Sequence, residues 1–468
     1  MLTVLVTVGP AHYGPAPDMF DKLLIANRGE IARRINQVAK GMGIKTVAVY
    51  SDADAELPVV KEADEAVRIG PAPSKDSYLS IPAILDAAKK TGAQAVHPGY
   101  GFLSENAEFA TAVSKEGITF VGPPPEAMLR MKDKSTARQL VQKAGVPVVP
   151  GSDEVLPDVP SAQAVAEKIG YPVLLKAAGG GGGIGMMAAK DPAELEKAFR
   201  ACTDRAKAAF GREAVYVERY FPNPRHIEVQ ILGDLHGNTL HILDRECSIQ
   251  RRHQKVVEEG GAPLFLNGRH SALREKAYEA AIRAAKAFGY ANAGTVEMLY
   301  SDGGIYFIEM NARLQVEHPV TELTTGVDLI GWQLRIANKE KLTLSQGDVR
   351  RKGHALEFRS YAEDPGKFFP SPGKLTAFQP PSGDGVRVDA GYAEGNTVTP
   401  NYDPMIAKLI VSGVDRPQAI ARAAKALAEF KVEGIKTNIP LHQRIVKDPA
   451  FLAGDLDTRF LENHAKPV

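Results

Sequence analysis

The chain has 468 residues, 44% of them hydrophobic, with mixed charges, which is enough for two to four domains with sizeable cores. A formal net charge of +1 gives no global reason to expect nucleic acid or an anionic membrane as partner, so any phosphate binding must be local. Cys202 and Cys247 are the two cysteines; they are too few for a zinc site or a disulfide framework, and both are expected as free thiols in a reducing cytoplasm.

Residues 1–18 contain a short apolar run, Leu2 to Val8, followed by Gly-Pro and Pro-Ala-Pro. The run lacks the basic start and small-x-small cleavage site of a signal peptide and is too short to cross a bilayer. It reads as a disordered extension, with Met19 as the natural start of the fold. Lys22 to Ala26 forms a short apolar strand, the turn from Asn27 to Glu30 leads into an amphipathic helix from Ile31 to Lys40, and Lys45 to Tyr50 is the next strand. This βαβ opening predicts a doubly wound parallel sheet, an α/β domain over residues 19–131. It lacks a full dinucleotide fingerprint. The segment from Ala95 to Asn106 ends a strand with glycines and begins a helix at Ser104-Glu105, and loops at such strand ends are where open α/β sheets place ligands. His97 by itself is better explained as a packed or capping histidine.

Tyr171 to Lys176 reads as a strand ending in a lysine, and five consecutive glycines, Gly179 to Gly183, follow it. Gly180, Gly182 and Gly185 formally satisfy G-x-G-x-x-G, but Met186 to Ala189 continues as a strand and not a helix, so the Rossmann reading fails its context; no Gly-Lys-Ser/Thr follows for a P-loop. What remains is a strand-loop-strand flap whose bare amides can close over phosphates beside Lys176. Val215 to Phe221 and His226 to Ile231 read as further strands. Asp244 to Lys255 is a dense polar run that fits either a solvated face or a loop lining an anion pocket.

Thr295 to Tyr300 and Ile305 to Met310 form a strand pair around a Ser-Asp-Gly-Gly turn. With a three-residue loop, Asp302 to Gly304, Glu297 stands directly across from Glu309; a two-residue loop would put Ile308 there instead. Two facing carboxylates repel unless a cation sits between them. Asn311 points to the same face as Glu309 and adds a neutral oxygen, a set that suits Mg²⁺ or Mn²⁺. If the strand continues, Arg313, Gln315 and Glu317 share that face.

The stretches NRGEIA (27–32), HPGYGFLSEN (97–106), KAAGGGGG (176–183), ECSIQRRHQK (246–255), FIEMNARLQVEHPVTE (307–322) and AEDP (362–365), in this order, closely resemble the biotin carboxylase component of biotin-dependent carboxylases, an ATP-grasp family. The similarity runs from about Met19 to the C-terminal end. It implies an N-terminal domain, an ATP-grasp body over 132–340 with a mobile lid at about 150–222, and a C-terminal domain over 350–462. The reaction it implies turns ATP, bicarbonate and biotin into carboxybiotin, ADP and phosphate, the first half-reaction of an enzyme such as acetyl-CoA carboxylase in fatty acid biosynthesis. The resemblance places Lys134, Lys176, Gly182, Gly183, Glu218, Arg219, Tyr220, Phe221, His226 and His253 at ATP. It places Glu297, Glu309 and Asn311 at two Mg²⁺ or Mn²⁺ ions, the two glutamates also counting as ATP contacts, and Lys255, Arg313 and the backbone of Val316 around bicarbonate. Glu317 becomes the general base, and Arg359 the group that steadies the biotin enolate.

Two positions depart from the family pattern. Ile184 stands where Lys or Arg is usual in the lid loop, and Glu357 to Asp364 differs from the common ECRINAED at Phe358, Ser360 and Tyr361 while keeping Arg359. No Met-Lys-Met biotinyl-lysine segment and no carboxyltransferase domain is present. The expected partners are therefore a second copy of the chain, a biotin carboxyl carrier protein or domain, and a carboxyltransferase subunit, with no nucleic acid and no membrane. Two alternatives stay open: an ATP-grasp ligase for another acid, and a non-catalytic ATP-binding subunit, for which Ile184 is the only hint. The final carboxyl acceptor is not written in these residues.

Overall fold

The computed structural model describes residues 19–177, 186–210, 215–252 and 254–464, with the side chains of 134, 135, 177, 209 and 210 left aside. The expectations for 1–18, Gly182, Gly183, Ile184 and His253, and for the Lys134 side chain, lie outside the described residues.

Five short parallel strands open the fold: β1 (Lys22–Ile25), β2 (Lys45–Ser51), β3 (Glu65–Gly70), β4 (Ala95–His97) and β5 (Thr119–Phe120), in the order β3-β2-β1-β4-β5. The order reverses at β1 and β4, which pair with each other, and a doubly wound sheet places its ligand crevice at such a reversal. Helix Gly29–Gly41 follows β1, and its Ile31, Ile35, Val38 and Ala39 repeat at helical spacing and are buried against the sheet. The elements expected at Lys22 to Ala26, Ile31 to Lys40 and Lys45 to Tyr50 are all present, each to within two residues. The helix after β4 begins at Ala107, capped by the Asn106 side chain on the Phe109 N–H at 3.0 Å, and not at Ser104-Glu105. Asn is the better cap because its oxygen reaches the N3 amide.

A small antiparallel sheet, β7-β6-β8, is built from β6 (Val173–Ala177), β7 (Met186–Ala189) and β8 (Val215–Arg219). Val173, Leu175, Val215 and Val217 alternate onto one face and pack against Leu195, Phe199 and Cys202 of helix Pro192–Phe210.

The remaining long strands are β9 (Arg225–Gly233), β10 (Thr239–Arg251), β11 (Gln254–Gly260), β12 (Asn292–Ser301), β13 (Gly304–Asn311) and β14 (His354–Tyr361). They continue with β15 (Gly373–Lys374), β16 (Ala377–Gln379), β17 (Val386–Ala390), β18 (Thr397–Val398), β19 (Met405–Gly413) and β20 (Lys431–Glu433). Eight of these make one sheet in the order β13-β12-β9-β10-β11-β14-β19-β17, while β15 pairs with β18 and β16 with β20. The sheet crosses the expected boundary near residue 350, since β14 adds to β11 with Val257 opposite Phe358 and Glu258 opposite Glu357. The C-terminal strands therefore form one wall of the same centre.

The run from Asp244 to Lys255 is neither a solvated face nor a loop. It is the hairpin β10–β11, with Asp244, Arg245, Glu246, Glu258 and Glu259 buried. Hydrophobic periodicity fails there because successive residues Asp244, Arg245 and Glu246 are all buried charges, each satisfied by a partner elsewhere in the fold.

Candidate active site

The β12–β13 hairpin carries the first carboxylates. Its turn is two residues, Asp302 and Gly303, both at positive φ (51° and 73°), with Ser301 opposite Gly304. From there the pairs run Tyr300 to Ile305, Leu299 to Tyr306 and Met298 to Phe307, and then the register slips so that Glu297 faces Glu309. The expected facing of the two glutamates is present, but the route differs: a two-residue turn and a bulge at Ile308 replace the three-residue loop. A bulge adds one residue to one strand, which is the amount needed to restore the pairing. Asn311 ends β13, so Arg313, Gln315 and Glu317 do not continue the strand face. The chain turns, and Glu317 becomes the residue before helix His318–Thr325.

That turn brings Gln315 and Glu317 back over the sheet onto Lys255 of β11. Lys255 Nζ lies 2.6 Å from Glu228 Oε2, 2.8 Å from Glu297 Oε1 and 2.6 Å from Glu317 Oε1. Gln315 donates to Glu297 Oε1 at 2.8 Å. Arg359 of β14 donates through Nε to Glu258 Oε1 at 2.6 Å and through Nη2 to Glu317 Oε2 at 2.9 Å. Glu317 is thus held by a different cation on each oxygen. Arg245, fully buried, pairs with Glu228 and donates to Gln230 at 2.6 Å, Thr321 at 2.9 Å and Thr295 at 3.0 Å.

Burial would raise the Glu317 and Glu297 carboxyls, but the adjacent cations outweigh it. Lys255, Arg359 and Arg245 hold Glu317 well below the usual carboxylate range, and Lys255 is the chief cation that does the same for Glu297. Burial likewise opposes charge on Lys255, yet Glu228, Glu297 and Glu317 keep its ammonium well above its ordinary value. Both partners of the Lys255–Glu317 pair are therefore ionised at neutral pH. Three cations, Lys255, Arg245 and Arg359, face four carboxylates, Glu228, Glu297, Glu317 and Glu258, so the centre is short of positive charge. Glu297, Glu309 and Asn311 at its edge fit a hard divalent cation: two carboxylates and an amide oxygen in register at the open end.

His226 of β9 sits beside this edge. Its Nδ1 accepts from Gln250 Nε2 at 3.0 Å, which leaves Nε2 carrying hydrogen 3.4 Å from Glu297 Oε2. Arg313 is drawn away toward the N-terminal domain, donating to Glu105 Oε2 at 3.2 Å and to Asn311 Oδ1 at 2.9 Å. The Val316 carbonyl accepts from the buried Lys408 at 2.7 Å. On the small sheet, Lys176 pairs with Glu218. Arg219 donates to Ile169 O at 2.9 Å, the Tyr220 amide donates to Pro172 O at 3.0 Å, and Phe221 stacks on Tyr306 with centroids 5.2 Å apart. His97 is buried, accepts from the Gly99 amide at 3.0 Å and is pushed by burial down to about 4, a neutral structural histidine as expected. Cys202 and Cys247 are both buried, and neither is in a disulfide.

Glu228, Gln230, Arg245 and Glu258 belong to the centre without having been expected there, and Glu357 and Lys408 stand behind it. Glu228 and Gln230 carry a usable signal, since His226, Glu228 and Gln230 alternate with apolar residues and so share one face of β9. Lys408 and Glu357 carry none, because each sits within a strand buried along most of its length.

Comparison with known proteins gives three family matches along the chain: biotin carboxylase, N-terminal domain, over 19–128; carbamoyl-phosphate synthase L chain, ATP binding domain, over 133–345; and biotin carboxylase C-terminal domain over 357–463. The chain is 53% identical over 445 residues to the biotin carboxylase of Pseudomonas aeruginosa, covering 95% of this chain and 98% of that one. Among solved structures, a biotin carboxylase–β,γ-ATP complex from Campylobacter jejuni superposes with a TM-score of 0.90 at 47% identity, covering 95% and 99%. The biotin carboxylase domain dimer of Hydrogenobacter thermophilus 2-oxoglutarate carboxylase, holding MgADP, ADP and bicarbonate, does so with 0.89 at 46%, covering 96% and 98%.

Proposed function

Since the chain belongs to the biotin carboxylase family, we propose that Lys255, Arg313, Glu317 and Arg359 carry its chemistry. The protein is an ATP-dependent ligase that uses ATP, Mg²⁺ and bicarbonate to carboxylate biotin, releasing ADP and phosphate. Its partner is a protein bearing biotin.

One observation supports the role assignment above the others: each oxygen of Glu317 is held by a different cation, Lys255 and Arg359. Bicarbonate is a poor nucleophile until it loses its proton, and an ionised, buried carboxylate between two cations is a general base whose protonation those cations register. Lys255 offers its ammonium to the bicarbonate oxygens, with Arg313 and the Val316 backbone completing the cradle. When Glu317 accepts a proton, Arg359 loses one of its two carboxylate partners, and its guanidinium becomes available to a developing oxyanion on the ureido ring of biotin. Lys134, Lys176, Gly182, Gly183, Glu218 to Phe221, His226 and His253 contact the nucleotide in this assignment. A divalent ion at Glu297, Glu309 and Asn311 would neutralise charge gathering on the transferred phosphoryl group. The segment around Gly182 and Gly183 serves as the lid that excludes water.

We keep the division into 19–131, 132–340 and 350–462, supported by three separate family matches. A second copy of the chain and a carboxyltransferase subunit complete the proposed assembly; the Hydrogenobacter relative is itself a dimer. Among the described residues no helix is long and apolar enough to cross a membrane, and a cytoplasmic setting is proposed. The test is ADP release from MgATP with and without bicarbonate and with free biotin titrated in. Release that requires bicarbonate and rises with biotin supports the assignment; release indifferent to both overturns it.

A further inference from the structure

Behind Arg359 lies a group of carboxyl oxygens with no partner among the described residues. Glu258 on β11 and Glu357 on β14 stand directly opposite each other in an antiparallel pair, so both side chains project to the same face, with Cβ atoms about 5 Å apart. Arg359, two residues beyond Glu357 on β14, shares that face. Both glutamates are fully buried. Glu258 Oε1 receives Arg359, but Glu258 Oε2 and both oxygens of Glu357 lack a hydrogen-bond donor among the described residues. Two fully charged carboxylates in that arrangement would repel each other in a medium that screens poorly. One proton removes the conflict and pairs the orphaned oxygens together.

We propose that Glu357 is a protonated positioning residue whose O–H donates to Glu258 Oε2, so that the ionised Glu258 can anchor the guanidinium of Arg359 against the biotin site. The inference rests on the role of Arg359 given above.

The surrounding groups agree with this placement. Glu258 faces Arg359, Glu317 and Lys255, and burial with the Glu317 charge pushes it up to about 7 despite Arg359. Glu357 faces Lys408, Glu258, Arg359 and Glu317, and burial drives it well above the carboxylate range. Lys408 is already engaged by Glu30 at 3.3 Å, Asp389 at 4.0 Å and the Val316 carbonyl at 2.7 Å. The proton therefore resides on Glu357, and the negative charge on Glu258, which has the guanidinium.

A chain of contacts results: Glu357 to Glu258, Glu258 to Arg359, Arg359 to Glu317. When Glu317 takes its proton, Glu258 is the anchor that keeps Arg359 from leaving with its charge unplaced. Only the half of the reaction that involves biotin needs that anchor.

The test compares Glu357→Leu with Glu357→Gln in the full chain. An amide can donate to Glu258 Oε2 as the acid does; leucine cannot. Glu357→Leu is expected to raise the KM for free biotin about tenfold, with bicarbonate-dependent ADP release in the absence of biotin changed by less than about twofold. Glu357→Gln is expected to keep the KM for biotin near that of the unaltered chain, while the infrared carbonyl band of a buried protonated carboxylic acid disappears. A Glu357→Gln variant as impaired as Glu357→Leu, or one that retains the infrared band, overturns the proposal. So does a Glu357→Leu variant that loses both reactions equally. If the unaltered chain itself shows no bicarbonate-dependent ADP release, the fault lies with the assigned function, and the infrared comparison still decides where the proton sits.

Discussion

Lys255 Nζ and Glu317 Oε1 are 2.6 Å apart, and each helps the other to keep its charge in this buried place. Replacing Lys255 by Met leaves Glu228, Glu297 and Glu317 facing one another without their shared ammonium. Breaking a buried pair in this way costs about 3–5 kcal/mol, which chemical denaturation will read. Adding Mg²⁺ should recover part of that loss, because a divalent ion replaces the missing charge. Glu317→Gln keeps the shape but not the base, and bicarbonate-dependent turnover should fall by about 10²–10⁴-fold; turnover close to that of the unaltered chain would remove Glu317 from the role of base.

Glu309 faces Glu297 only because of the bulge at Ile308. Glu309→Gln should nearly abolish metal-dependent turnover and flatten the rise in thermal stability that Mg²⁺ and nucleotide confer together. Unchanged metal dependence in this variant would mean that the hairpin does not hold the ion.

Arg359 is tied to Glu258 and Glu317, whereas Lys176 of the small sheet pairs with Glu218. Arg359→Ala should lower biotin carboxylation far more than ATP affinity. Equal losses in both, measured by initial rates and by nucleotide titration, would count against its assignment to biotin.

Away from the site, Glu259 accepts from Arg416 at 2.8 and 2.9 Å and lies 2.7 Å from His354 Nε2. Burial opposes its charge, but Arg416 and His354 prevail and lower it to about 2 from 4.5. The sign follows from a depressed carboxyl: its contribution, about 3 kcal/mol, is fully present above about pH 4.5 and is lost as the pH falls toward about 2. Acid unfolding of Glu259→Gln should therefore lack that loss, and its stability at neutral pH should be lower than that of the unaltered chain.

Ile184 occupies a position where the family usually has Lys or Arg. Ile184→Lys should tighten ATP binding if the position faces phosphate; an unchanged affinity in a nucleotide titration would show that it does not.

The elements that alternate or repeat cleanly were legible along the chain. The helix from Ile31 and the flap strand at Val173 show period-3.6 and period-2 patterning, since each has one face on an apolar core, and the strand at Lys22 is a short continuous apolar run buried on both faces. The motif set also singled out Lys255, Glu297, Glu317 and Arg359, which the fold brings into contact with one another. What the chain could not show was that the run from Asp244 belongs to a strand pair, because a strand with consecutive buried charges carries no hydrophobic period. Nor could it show that the bulge at Ile308 restores the facing of Glu297 and Glu309, since a one-residue slip reverses every side chain and depends on turn geometry. Convergence was also a matter for tertiary structure. Glu317 leaves the strand direction entirely, and β14, far along the chain from β11, closes the sheet beside it to bring Arg359 against Glu258 and Glu317. Local pattern reports which face of an element is buried; only the packing of elements distant in sequence decides which buried charges meet.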